Sequence, residues 1–442
     1  MAPRGAGAEK PTVFIGFTEI SGYFRNLREG LADQGYRCDF VELVPHPFGY
    51  GDPAPPAGLI VTAIRAIRGM GSLSESALLR RFLPLLSGVL MVPLFLSAVV
   101  KYDVFLFTYG NSFFIANLDL ILLKLLKKRV IMPFLGSEVR PRYIDGFIEF
   151  SDLGEMYESA QQQRRKIRFI ERFVDVIINN PAAGHLLERP FVNFYCLGIP
   201  QDCGDSSGTD PTAGQSGGDA ADQQSSEDGR VRILHTPSVR IGKGSDLIRT
   251  LVGRLGTRYR IEYTEITNRP HLEVLEKIRT SDLVIDQAYS DTPMAAFASE
   301  AAWFGVPAVV GGYYSAIIGD EVDVEFIPPS RYVLPEELES AVESLIVDAD
   351  GRRELGAHAR RFVRTRWSRS EVASRYARII SDDIPREWWF DPDRMTYVCG
   401  CGLPRDQAAA RISAMIEGYG MDALGLGDKK DLRERFSTVA KR

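Results

Sequence analysis

Arg232–Asp246 reads RILHTPSVRIGKGSD. An apolar run ends at His235, a polar turn follows, and Lys243-Gly244 leads into a helix start near Ser245. A second stretch, Ala298–Gly311, reads ASEAAWFGVPAVVG. It predicts a helix start carrying one acid, Glu300, and then a buried strand at Ala308–Val310. Strand, turn, helix and strand in this order specify an α/β domain with a parallel sheet. A fixed cation and a fixed carboxylate on neighbouring strand-to-helix loops suit a ligand with a diphosphate at one end and hydroxyls at the other.

The same alternation runs through the rest of this half. Arg258–Tyr263 and Asp282–Gln287 (DLVIDQ) read as strands around a helix at Pro270–Ser281. Asp286 and Gln287 then fall at the strand end where α/β ligands bind. Ser290–Phe297 is a loop and helix start, whose free N–H groups suit phosphate oxygens. Pro335–Val347 and Gly351–Arg366 are amphipathic helices.

A second α/β half precedes it. Pro11–Gly16 (PTVFIG) is a strand, Ser21-Gly22 starts a helix ending near Gly35, and Arg37–Leu43 is the next strand. The loop lacks G-x-G-x-x-G, which argues against a dinucleotide-dependent dehydrogenase. Gly22 sits at a turn beside a helix N-terminus, which suits either a phosphate or a plain tight turn. Val130–Tyr143 (VIMPFLGSEVRPRY) is a strand leading into a polar turn. Val174–Asn180 and Asn193–Pro200 read as further strands, with a helix at Pro181–Glu188 between them. Gln161–Phe173 is a basic amphipathic helix. Its Arg164, Arg165, Lys166, Arg168 and Arg172 form either a phosphate-facing surface or a solvated face.

Gln201–Gly229 is rich in Gly, Ser, Asp and Gln and is expected to be a disordered linker. The expected layout is therefore a disordered tail 1–10, a first Rossmann-like domain 11–200, the linker 201–229, a second such domain 230–382, and a helical extension 383–442 packing back on the body. In the extension, Trp388, Trp389 and Phe390 are expected to anchor the tail. Asp391-Pro-Asp393 lies among turn residues and is assigned no metal.

The 442 residues are 45% hydrophobic and 25% charged, ordinary for a globular protein, and the net charge of −5 gives no reason to expect nucleic acid. Five cysteines, odd in number, suggest a reducing cytoplasm and no disulfide framework. The uncharged run Phe82–Val100 lies between Arg81 and Lys101 and is interrupted by Pro84, Gly88 and Pro93. It reads as a core helix, an interfacial helix lying on a membrane, or a span.

The motifs resemble those of GT-B glycosyltransferases of the family 4 (group 1) type. The likeness rests on Lys243-Gly244 with Glu300 downstream, which matches the second acid of that family's E-x7-E motif. The first acid falls at Thr292, with Asp291 beside it. The arginine usually five positions before the lysine is Ser238 here, with Arg240 nearby. Gly136-Ser137-Glu138 and Arg140 are similar to the family's GSD-x-R turn, with Glu138 one methylene longer than the usual Asp.

The resemblance implies an α/β fold of GT-B architecture, two Rossmann-like domains with parallel sheets facing an interdomain cleft. It implies transfer of a sugar from a nucleotide-sugar donor to a glycan or lipid-linked acceptor, usually with retention, and with no cofactor and no bound metal. Lys243 and Arg240 would hold the diphosphate, Glu300 the ribose, and Asp291, Thr292 and Ser238 complete the donor site. Gly22, Asn111 and Glu138 would line the acceptor side. Glu138 and Asp291 are the catalytic candidates. Two alternatives stay open: a GT-B-fold nucleotide-sugar epimerase and a non-catalytic GT-B-like binding protein. The expected place is the cytoplasm, at the inner face of the membrane.

Overall fold

The computed structural model describes residues 9–44, 49, 58–73, 77–204, 229–427 and 429–441. The expected linker lies mostly outside the described residues, as does most of the expected N-terminal tail. The chain divides into two units. One comprises Met1–Pro200, Arg369–Gly400 and Pro404–Arg442; the other comprises Gln201–Ser368 and Cys401–Leu403.

The strands in chain order are β1 (Val13–Thr18), β2 (Cys38–Val44), β3 (Val104–Phe107), β4 (Arg129–Pro133), β5 (Val176–Asn179), β6 (Phe191–Asn193), β7 (Val231–His235), β8 (Ile261–Glu265), β9 (Leu283–Ile285), β10 (Ala308–Gly311), β11 (Arg331–Val333) and β12 (Trp389–Phe390). The first unit holds a seven-stranded sheet in the order β12-β6-β5-β4-β3-β1-β2. Its strands are parallel except β12, which pairs antiparallel with β6. The second unit holds a five-stranded parallel sheet, β11-β10-β9-β7-β8. In both, the first strand of the unit sits between its second and third, so strand order reverses there. This is the doubly wound, Rossmann-like arrangement expected, and it opens a crevice at the carboxyl ends of those strands.

The strands form because their residues suit burial on both faces. β3 (VFLF) and β5 (VIIN) are buried at every position, as central parallel strands require. Phe113 fastens this core, with ring centroids 4.9 Å from Phe17 and 5.1 Å from Phe14.

Three sequence expectations change. Pro181–Glu188 holds only a short 3-10 turn, Pro181–Ala183, begun by Asn180, whose side chain accepts from the Ala182 N–H. Asn193–Pro200 is not a strand, because the Asn193 side chain caps Tyr195 N–H at 3.0 Å and turns the chain into the short helix Phe194–Leu197. Of the expected second domain 230–382, only the part up to Ser368 falls in the second unit, and Arg369 onward falls in the first up to Gly400. The helix Arg369–Ile380 belongs with the first unit, where Arg369 pairs with Glu29 and Asp33 and the Tyr23 and Tyr376 hydroxyls meet at 3.0 Å. Gly30 is what lets the two helices approach: a Cβ there would lie 2.6 Å from the Arg369 carbonyl oxygen.

The segment beyond 383, apart from Cys401–Leu403, belongs to the first unit. Phe390 meets Phe191 across the β12–β6 edge, at 5.3 Å between centroids. Farther on, Tyr419 stacks on Tyr157 at 3.9 Å, and Leu424 accepts a 2.8 Å hydrogen bond from the buried Tyr143 hydroxyl.

Candidate functional site

The second unit's crevice lies where β7 and β9 run side by side, and its floor is tied by His235, the last residue of β7. The ring is fully buried. Nδ1 lies 2.8 Å from the Ile285 carbonyl of β9, and Nε2 lies 2.9 Å from Ser245 Oγ at the start of the helix Ser245–Gly256. A carbonyl can only accept, so Nδ1 carries the proton and Nε2 accepts from the serine hydroxyl. Burial pushes the ring's pKa down to about 4, against a smaller opposing effect of the Ile285 bond.

A prediction follows from that depressed value. Between about pH 6.5 and 4 the unfolded chain binds a proton here that the folded chain refuses. Stability is therefore full above pH 6.5 and falls with pH through that window, by on the order of 3 kcal/mol. His235→Gln is expected to flatten this unit's part of the melting-temperature slope between pH 7 and 5. An unchanged slope would remove His235 as its source.

Lys243 ends the one-turn helix Arg240–Lys243 directly after the β7 loop. Its Nζ is 2.9 Å from Asp286 Oδ1, the residue that follows β9, and Asp286 is almost wholly buried. Asp286 Oδ2 has no hydrogen-bond partner among the described residues. The sequence presents Lys243 as an open cation; the structure holds it on a carboxylate, because both residues leave adjacent parallel strands at the same end. The ammonium has three donors and this bond uses one. Gly244 is obligatory here: its φ is +69°, and a Cβ would lie 2.6 Å from the Ala288 Cβ. Arg240 is exposed and reaches Glu265, at the end of β8, at 3.2 Å. Glu265 is itself gripped by both ends of the Arg249 guanidinium, at 2.7 and 3.0 Å. Ser238 is exposed on the same loop.

The loop after β9 is knotted around Ser290. Its hydroxyl takes a hydrogen bond from Gln287 Nε2 (2.7 Å) and from the Thr292 N–H (3.1 Å), and lies 2.8 Å from the Thr292 carbonyl. Asp291 is buried beside it. Gly312, after β10, presses on the same loop: a Cβ there would lie 1.9 Å from the Ser290 carbonyl oxygen. The helix Ala296–Trp303 then begins at Ala295, with no side chain capping its N-terminus. Glu300, in the second turn, is buried and lies 2.9 Å from Nε2 of His271. His271 is the first residue of the helix His271–Arg279 that follows β8. The acid expected to hold a ribose is thus already engaged by a histidine.

Lys243, Arg240, Asp286, Asp291, Thr292, His271 and Glu300 all lie on loops or helix starts at the carboxyl edge of this one sheet. A role for His271 or His235, and the pairing role of Asp286, do not emerge from the sequence. Their signal was positional. Each ends a strand or opens a helix on the edge where such sheets bind ligands.

In the first unit the expected acceptor-side residues separate into two groups. Gly22 has φ +78° and begins the helix Tyr23–Asp33. The carboxylate of Glu19 fills that helix N-terminus, accepting from the N–H groups of Ile20 (2.7 Å), Phe24 (3.0 Å) and Arg25 (3.0 Å). Gly22 therefore serves a turn whose anion position the chain itself occupies. Burial raises the Glu19 pKa, with those amides opposing.

Asn111 and Glu138 fall in the other group, after β3 and β4. Asn111 Oδ1 accepts from Lys166 Nζ at 2.9 Å. Glu138 Oε2 accepts from the Gly136 N–H at 2.9 Å, while Oε1 is enclosed with no hydrogen-bond partner among the described residues. Burial raises the Glu138 pKa, with backbone N–H groups and Arg140 opposing, and burial lowers that of Lys166, with the Glu138 charge opposing. Lys166 is the member of its helix's five basic residues that reaches Asn111; the sequence sets it beside Arg164, Arg165, Arg168 and Arg172 without distinction.

No family model matches the chain, and no curated protein matches it. Among solved structures, it is similar to HepE (Alr3699) of Anabaena in complex with UDP and glucose, at 12% identity, covering 85% of this chain and 100% of that one, with a TM-score of 0.49. It is similar to the glycotransferase of kitacinnamycin, at 14% identity, 85% and 100% coverage and a TM-score of 0.43. It is also similar to the glycosyltransferase SnogD from Streptomyces nogalater, at 13% identity, 84% and 100% coverage and a TM-score of 0.39.

Proposed function

We propose that the chain is a GT-B-type glycosyltransferase of the family 4 kind, moving a sugar from a nucleotide-sugar donor to a glycan or lipid-linked acceptor. One observation carries this reading: the Lys243–Asp286 pair sits at the strand-order reversal of a doubly wound sheet, with the buried Glu300–His271 pair on the same edge. When a glycosidic bond to a nucleoside diphosphate breaks, negative charge grows on the leaving diphosphate. A cation fixed beforehand stabilises that charge without reorganising at the moment of reaction. Asp286 does the fixing, so it is a positioning residue for the Lys243 ammonium. Arg240 leaves Glu265 at little cost, since that acid keeps Arg249.

In this reading Glu300 accepts from the ribose hydroxyls while His271 holds the carboxylate in place. Asp291 and Thr292, on the loop knotted by Ser290, face the donor sugar. Charge compensation falls to Lys243 and Arg240, so EDTA is expected to leave turnover unchanged. Glu138 and Asn111 serve the acceptor, and retention of anomeric configuration is carried over from the resemblance. Five cysteines, few and odd in number, suit the cytoplasm.

The test is a thermal-shift screen of the whole protein with UDP-, GDP- and ADP-sugars. A fitting donor at a hundred times its Kd is expected to stabilise the fold by about 2.7 kcal/mol. Stabilisation by none of them would favour a non-catalytic binding protein. Conversion of the donor sugar with no acceptor present would favour an epimerase.

A further inference from the structure

The helix Ala77–Lys101 leaves an apolar surface unused by the fold. Its inner face is core: Met91, Leu94, Phe95 and Ala98 are buried. Its outer face carries Phe82, Leu85, Val89, Val92 and Leu96, all exposed, with Leu85 62% and Val89 65% open to solvent. These positions recur at helical spacing, so they form one stripe. Phe82–Lys101 has a mean hydropathy of 2.3, yet only 28% of the window is buried within the protein.

The stripe continues onto a neighbouring segment. A groove of about 820 Å³ lies between this helix and Phe113–Leu118, walled by Pro84, Val89, Val92, Phe114, Ile115 and Leu118. Ile115 is 89% exposed, and Leu122 and Leu125 extend the stripe along the helix Asp119–Leu125. That volume is of the size that encloses a small ligand, roughly 300–1,000 Å³. An exposed apolar patch of this extent marks an interaction surface.

The charges around it say what covers it. The whole chain carries more acids than bases. Yet from Gly58 to Lys128 the only described acids are Asp103, bonded to Thr12, and Asp119, which is buried and bonded to Ser112 and to the Phe113 and Phe114 N–H groups. Against them stand Arg65, Arg68, Lys124, Lys127 and Lys128, besides Lys101, which pairs with Asp39. Arg68 borders the groove itself. Lys124 and Lys128 bond to backbone carbonyls, which carry no formal charge. Exposed hydrocarbon edged by cations is complementary to a leaflet with anionic headgroups. The helix is not free to cross that leaflet, because its far end is tied to β2: Lys101 and Tyr102 both bond Asp39, at 2.7 and 2.5 Å.

We propose that this face docks on a bilayer leaflet containing anionic lipid, with one lipid hydrocarbon chain lying in the groove. The proposal stands apart from the sugar-transfer reading, since it uses no residue of the donor site. The test is co-sedimentation of the full chain with vesicles of phosphatidylcholine, with and without phosphatidylglycerol. Wild type is expected to pellet with the mixed vesicles and to be partly released by salt.

The triple variant Leu85→Glu, Val89→Glu, Leu96→Glu changes only exposed positions. It is expected to keep the wild-type melting temperature while its partitioning falls about a hundredfold. Wild type left in the supernatant with both vesicle types would overturn the proposal, as would a triple variant that pellets equally well. A free wild-type dimer that the same three changes split, with no vesicle binding, would assign the face to a second copy instead.

Discussion

Replacing Lys243 with alanine is expected to do two things at once: lower turnover of the donor at least tenfold, and destabilise its unit by about 3 kcal/mol. The second effect follows from Asp286. Its carboxylate is 1% exposed, one oxygen faces Lys243, and the other already lacks a hydrogen-bond partner. Without the ammonium the carboxylate must stay charged and uncompensated or take up a proton, and either route costs free energy. The melting temperature is expected to fall by roughly 6–12 °C for a unit of this size.

The two effects separate in a double variant. Lys243→Met with Asp286→Leu removes both charges and fills similar space, so stability is expected to return towards wild type. Turnover is not, because nothing then meets the leaving diphosphate. If the double variant recovers both, Lys243 is a structural residue and the sugar-transfer reading loses its cation. If the single variant melts like wild type, the pair does not hold the two strand ends together.

Gly312→Ala is the second large effect. Gly312 has extended backbone, φ 176°, which alanine adopts without strain. The obstacle is space alone. The new Cβ would lie 1.9 Å from the Ser290 carbonyl oxygen and 2.8 Å from the Tyr332 ring, and the Tyr332 hydroxyl donates to that same carbonyl at 2.9 Å. Backbone must move, and the Tyr332 bond goes with it. Overpacking and one lost hydrogen bond together are expected to cost about 3–4 kcal/mol.

The displaced loop carries Asp291 and Thr292, so donor-dependent stabilisation should shrink as well. Gly319→Ala is the control: a Cβ there meets nothing within 4 Å, and the change is expected to stay within about 0.5 kcal/mol. Equal melting of the two alanine variants would mean that the loop yields freely and that Gly312 does not shape it.

What was legible in the sequence follows a physical divide. Apolar runs and helix starts are local, so β7, β10 and the helix start at Ser245 lie where the sequence placed them. The partner of a charged side chain is decided by strand order, which no local pattern encodes. Lys243 looked open because Asp286 is 43 residues away along the chain. Glu300 looked free for the same reason, with His271 29 residues before it. Gly22 stayed open between an anion site and a plain tight turn, because free helix N–H groups are visible in the pattern and the neighbouring Glu19 carboxylate that takes them is not. The run Phe82–Val100 was ambiguous because its two faces have different fates, and composition averages over both.

The placement of β12 has a consequence for synthesis. The first unit's sheet ends on a strand drawn from residues 389 and 390, after all of the second unit but Cys401–Leu403 has been made. At a ribosomal rate of about 5–20 residues per second, the open edge of β6 waits roughly 10–40 seconds for its cover. That edge carries Phe191 and Val192, both wholly enclosed in the finished protein. A nascent chain in this interval presents an unpaired apolar border to its surroundings. Its yield in a cell should therefore depend on chaperone supply and translation speed more than the sturdiness of the completed fold would imply.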